Sequence, residues 1–147
     1  MEKQAYYVDT NIWLNLFKKE ENLYTGRAYW KIAQDFLEKI MFSDDKEIIY
    51  SGLILKELMY KLTRKEFREK ELFMKREPRC RFVILVSGDY TFARKLEFEF
   101  GFEISFYDCL HITVCRRIGA ILITRDNKLL QCAQRYIQAF KPEHLLP

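Results

Sequence analysis

Four acidic residues carry the chemistry this sequence could perform. Asp9 follows the apolar run Tyr6-Tyr7-Val8, Glu57 lies within LILKELMYKL, Asp108 opens DCLHITVCRR after the short run ISFY, and Asp126 follows AILIT. Taken singly, each has an ordinary explanation. Asp9, Asp108 and Asp126 stand where a helix N-cap is wanted, a role worth about 1 kcal/mol through one backbone N–H bond. Glu57 lies about 100° from Leu58, at the border of the apolar arc made by Ile54, Leu55, Leu58 and Leu62, where a glutamate is usually solvated. Taken together they imply more. Carboxylates converging on one rim repel each other and raise one another's pKa unless a cation joins them. Mg²⁺ and Mn²⁺ suit such a set, because they prefer oxygen ligands and keep several waters. An ion held this way activates water and neutralises the oxygen leaving a phosphodiester.

The elements that must bring these acids together are legible as periodicities. Short apolar runs at 5–8, 47–50, 82–86 and 120–124 read as strands. Segments of helical period lie between and after them, at 12–19, 26–41, 53–62, 64–76, 90–100, 108–117 and 127–136. Gly88, Gly101 and Gly119 fall at the breaks, and Pro78 closes the charged helix. A last extended piece at 139–145 reads as an edge strand, since Pro142 excludes a central position. Alternation of strand and helix predicts a three-layer α/β/α sandwich with a mainly parallel central sheet. In such a sheet a ligand site lies beyond the carboxyl ends of the strands, and the acids follow those ends. The 147 residues suit one domain, spanning 1–147.

The set Val8-Asp9-Thr10-Asn11, Glu57, Tyr107-Asp108-Cys109-Leu110-His111 and Ile123-Thr124-Arg125-Asp126 resembles the acidic quartet of PIN-domain ribonucleases, in particular prokaryotic toxins of the VapC type, archaeal ones among them. The resemblance runs through essentially the whole chain. It implies a metal-dependent endoribonuclease in which Asp9, Glu57, Asp108 and Asp126 surround one or two Mg²⁺ or Mn²⁺ ions. Asp9 and Asp108 would be the more direct ligands, and Glu57 and Asp126 would complete the shell, partly through water. Thr10 and Thr124 match hydroxyl positions that orient carboxylates or water, and local hydrogen bonding at a turn explains them equally well. The resemblance also implies an RNA substrate, an antitoxin protein partner and a homodimer. His111, one turn after Asp108, could face the site behind the metal ligands or touch RNA, but reads more readily as a partly buried packing histidine, and Asn11 and Asn127 read as cap and turn residues.

Composition narrows the field further. Hydrophobic residues make up 49% and charged residues 31%, enough for a packed core, which excludes disorder as the main state. Residues 64–81 carry eight of the 25 basic residues and four of the 21 acids, so the whole net charge of +4 lies in that stretch. Arg64, Lys65, Arg68, Lys75 and Arg76 there, with Arg125 beside Asp126, are candidate phosphate contacts. A solvated helix of Glu/Lys pairs fits the stretch equally well. In VapC-like proteins the hairpin equivalent to 53–76 often holds the antitoxin, and Leu53, Tyr60, Phe67, Phe73, Trp13 and Phe17 could offer it an aromatic groove, although core packing explains them better. Four cysteines and two histidines show no zinc-ligand spacing. Neither a signal peptide nor a membrane span is expected, which points to the cytoplasm and reduced thiols.

Other acid-bearing α/β classes fit less well. Phosphatases of the haloacid dehalogenase type need an acid where Asn11 stands, and a receiver domain needs a pair of acids after its first strand. Flap-type DNA nucleases carry more acids and extra elements. A catalytically silent PIN-like scaffold that binds RNA or protein is the remaining alternative, and loss of an acid, its usual mark, is absent.

Overall fold

The computed structural model describes residues 2–20, 23–24 and 26–147. In chain order these form β1 (Gln4–Val8), α1 (Thr10–Phe17), β2 (Leu23–Tyr24), β3 (Arg27–Ala28), α2 (Tyr29–Met41), β4 (Lys46–Ser51), α3 (Gly52–Lys61), α4 (Arg64–Arg76), β5 (Cys80–Val83), α5 (Ser87–Glu99), α6 (Phe106–Ile118), β6 (Ile121–Ile123), α7 (Asn127–Ala133) and β7 (Ala139–Phe140). A 3₁₀ turn at Pro142–Leu145 follows.

Five strands pair in the order β5-β4-β1-β6-β7, every neighbour parallel. Successive strand residues point to opposite faces, yet Tyr7 and Val8, Ile48 and Ile49, and Leu122 and Ile123 are all fully buried. Both faces of the central strands are therefore covered, as a parallel sheet with helical crossovers requires. The helices pack in chain-adjacent pairs, α1 with α2, α3 with α4, and α5 with α6. The chain runs outward from β1 through β4 to β5, then returns to place β6 on the other side of β1. That reversal puts a crevice at the carboxyl end of β1.

The expected elements form, with shifted ends. The run at 82–86 pairs with β4 only through Val83, because its partner Ser51 is the last residue before Gly52 opens α3. Beyond it Ile84 and Val86 lie exposed on the sheet's edge. The helix expected from residue 26 begins at Tyr29, after the two-residue pairing of β2 with β3, where Gly26 takes the left-handed φ of 83°. The segment at 139–145 contributes an edge strand of two residues before Pro142 turns it into the 3₁₀ helix. Among the described residues no helix is long and apolar enough to cross a membrane. All four cysteines are buried and unpaired.

Candidate active site

Asp9 leaves the end of β1 as the N-cap of α1, its Oδ1 accepting the Thr10 N–H at 2.8 Å. Its Oδ2 accepts the Thr124 hydroxyl at 2.7 Å and the Asn11 amide at 3.2 Å. Thr124, wholly buried just past β6, accepts in turn from the Asn11 amide and the Asp126 N–H. Thr124 thus ties β1's acid to the turn carrying the fourth acid. Asn11, read as a cap residue from the sequence, contacts the first acid directly. Asp126 caps α7, its Oδ1 accepting the N–H groups of Lys128 and Leu129, and its side chain is exposed.

Asp108 does not cap α6. Ser105 does, accepting the Asp108 N–H at 3.1 Å, so Asp108 sits at the third position with its carboxylate free of hydrogen bonds among the described residues. Burial, opposed by His111 and reinforced by Asp9, Asp126 and Glu57, pushes its pKa up to about 6. Burial likewise raises Asp9, although His111 and the Thr124 hydroxyl act against it.

Glu57 is half-buried, and its Oε1 lies 2.6 Å from His111 Nε2. His111 is fully buried, and its Nδ1 lies 2.7 Å from the Tyr7 hydroxyl, itself 2.7 Å from Ser51 Oγ. Burial works to lower the His111 pKa, but the Glu57 bond and the charges of Asp9, Glu57 and Asp108 outweigh it and raise it. Ligand atoms of Asp9, Glu57 and His111 all lie within 4.8 Å of one another. The helical spacing from Asp108 to His111 places both on one face, and His111 is directed at the acids rather than merely packed in the core.

These acids line a cleft of about 280 Å³ with Thr10, Asn11, Leu14, Tyr60 and Lys61. The Thr10 hydroxyl is buried there without a hydrogen-bond partner among the described residues. Tyr60 and Lys61 follow Glu57 by one helical turn on α3, a spacing from which their place at the cleft could have been read. A hard-oxygen set in a crevice, one carboxyl pushed to about 6 and an orphaned hydroxyl fit a divalent cation in this cleft, although only Asp9, Glu57 and His111 bring ligand atoms within 4.8 Å of one another among the described residues.

The candidate RNA contacts lie elsewhere. Arg64, Lys65, Arg68 and Arg76 are exposed on α4, with no ion pair among the described residues, while Lys75 pairs with Glu71. None of them lines the cleft. Arg125 is turned inward: Nε donates to Asn15 Oδ1, Nη1 to Glu143 at 3.0 Å, and the guanidinium lies over Tyr29. Its side chain is 10% exposed, so the structure does not present it to solvent beside Asp126. The aromatic groove also divides: Trp13 and Leu53 are core, Phe17 and Phe67 are half-buried, and Tyr60 and Phe73 are exposed.

No curated protein matches the chain at the sequence level. Solved structures share its fold. It aligns with VapBC2 from Rickettsia felis bound to a promoter DNA fragment (TM-score 0.68, 20% identity, 94% of this chain and 98% of that one). It also aligns with VapBC-1 from nontypeable Haemophilus influenzae (0.68, 19%, 95% and 99%) and with FitAcB from Neisseria gonorrhoeae (0.65, 18%, 95% and 99%). The PIN-domain family model matches residues 6–134, which takes in all four acids, and the chain belongs to the PIN-domain family.

Proposed function

We propose that this protein is a Mg²⁺- or Mn²⁺-dependent endoribonuclease that hydrolyses RNA phosphodiester bonds and acts in the cytoplasm as the toxin of a toxin–antitoxin pair. The observation carrying this reading is the cleft in which Asp9, Glu57, Asp108 and Asp126 meet from four different elements. When bound, the ion supplies an activated water and neutralises charge on the scissile phosphate. The residues do the rest. Thr124 and the Thr10 N–H hold the Asp9 carboxylate from two sides, leaving it a fixed orientation. Asp108, without a partner of its own, is the acid most free to take a ligand. Asp126 spends one oxygen on the α7 cap and keeps the other for the cleft.

RNA reaches an acidic cleft only where cations offset it. Lys61 at the cleft and the exposed cations of α4 supply that offset, and Tyr60, exposed beside Lys61, offers a ring on which a base stacks. The antitoxin would lie along the α3–α4 hairpin, whose Tyr60, Leu72 and Phe73 are exposed apolar groups. A toxin–antitoxin complex from Klebsiella pneumoniae among the structural neighbours supports an antitoxin partner. A homodimer belongs to the same reading, and light scattering tests it.

The decisive experiment incubates the purified protein with single-stranded and structured RNA in Mg²⁺, Mn²⁺ or EDTA, beside an identically prepared Asp9→Asn/Asp108→Asn variant. Metal-dependent cleavage by the wild type alone is expected. RNA retention without cleavage by either protein would replace the nuclease with a binding scaffold.

A further inference from the structure

The three elements that carry Asp9, Glu57 and Asp108 are joined behind the cleft by a buried line of polar groups. Ser51, at the β4–α3 junction, bonds Tyr7 on β1; Tyr7 bonds His111 on α6; His111 bonds Glu57 on α3, at 2.7, 2.7 and 2.6 Å. Ser51, Tyr7 and His111 are wholly inaccessible to solvent. Tyr7 precedes Asp9 by two residues, and His111 follows Asp108 by three.

Chemistry gives the line a direction. An ionised carboxylate only accepts, so Nε2 carries the proton it donates to Glu57. A neutral imidazole then accepts the Tyr7 hydroxyl at Nδ1, and Tyr7 accepts from Ser51. A charged imidazole reverses the two outer bonds and leaves the Nε2–H on Glu57. The hold on Glu57 is therefore the same in either state. It is also needed: Glu57 is a flexible side chain on a half-exposed helix face, and like charge on Asp9 and Asp108 drives it outward. With Oε1 bound to His111, Oε2 is the oxygen left for the cleft.

We propose that Tyr7 and His111 are positioning residues, and that their hydrogen-bonded line from Ser51 to Glu57 sets the Glu57 carboxylate against Asp9 in the geometry that takes a divalent cation. The proposal rests on the metal-site reading above, and its test separates the two. Tyr7→Phe deletes one hydroxyl and keeps the ring. Mn²⁺ affinity is measured by calorimetry, with kcat and KM on RNA and the imidazole N–H signals of histidine-labelled protein; with only His111 and His144 in the chain, assignment is direct.

Tyr7→Phe is expected to weaken Mn²⁺ binding about tenfold, lower kcat with KM for RNA unchanged, and shift the His111 Nε2–H signal and speed its exchange with solvent, because the ring loses its anchor at Nδ1. A folded Tyr7→Phe that binds Mn²⁺ like the wild type, while Asp9→Asn does not, overturns the positioning role and leaves the metal site standing. A wild type that binds no Mn²⁺ overturns both. Ser51→Ala, which keeps both rings, carries the test if Tyr7→Phe fails to fold: it is expected to move affinity and signal in the same direction by a smaller factor, and unchanged values refute the line.

Discussion

Replacing Asp108 by Asn is expected to stabilise the metal-free protein while abolishing its activity, and the size of the gain follows from the site. The Asp108 pKa stands at about 6 against an ordinary 3.8, principally because burial disfavours the charge and Asp9, Asp126 and Glu57 add repulsion. At about 1.4 kcal/mol per unit, a shift of roughly two units costs the folded state about 3 kcal/mol once the group is ionised. Relaxation and water at the half-buried carboxyl reduce this to about 1–2 kcal/mol. The sign runs one way. The folded protein holds the proton more tightly than the unfolded chain, so stability falls as pH rises from about 4 to 6, and the penalty is complete above the folded pKa. Asn carries no such penalty. Urea unfolding in EDTA should show the variant level with the wild type at pH 4 and ahead by about 1–2 kcal/mol at pH 7.5, with Tm higher by about 3–6 °C. Mn²⁺ should narrow the gap by stabilising the wild type. A variant no more stable than wild type at pH 7.5, or equally ahead at pH 4 and 7.5, refutes the account of a strained carboxylate cluster.

Other expectations concern the surroundings of the acids. Thr124→Val removes the hydroxyl that serves Asp9, Asn11 and Asp126 at once; it should cost about 1–3 kcal/mol in chemical denaturation and reduce cleavage. Arg125→Ala strands Glu143, only 6% exposed, and should cost about 3–5 kcal/mol with little change in the salt dependence of RNA binding, whereas a loss of RNA affinity in a fully stable variant would restore it as a phosphate contact. Lys61→Ala with Tyr60→Ala should raise KM for RNA at constant Mn²⁺ affinity; a change confined to kcat would move these residues from substrate binding to the metal site. Neutralising Arg64, Lys65, Arg68 and Arg76 together should flatten the salt dependence of RNA binding by up to about four in slope, and an unchanged slope would assign α4 to a protein partner.

What the sequence made legible, and what it did not, divides along the range of the interactions. The strands and the acids after them are local features, read from period and position, and β1, β4 and β6 stand where the apolar runs place them. Position alone makes Asp108 a cap, whereas the cap is Ser105, and Ser105 followed three residues later by Asp108 is itself a recognisable helix start. The end of β5 was misjudged because the length of its partner β4 decides it. The inward turn of Arg125 is illegible from its neighbour Asp126, because Glu143, to which it donates, lies 18 residues on in a 3₁₀ turn. The positioning line is the extreme case, since Tyr7 meets residues 44 and 104 positions away. One part of it was nonetheless open to inference. Tyr7 sits in the middle of a strand buried on both faces, where a hydroxyl must find a partner. His111 falls on the face of α6 that follows Asp108. A buried hydroxyl in need of a partner and an imidazole directed at the same acids imply a bond between them, and the topology that puts β6 and β4 on either side of β1 is what brings them within reach.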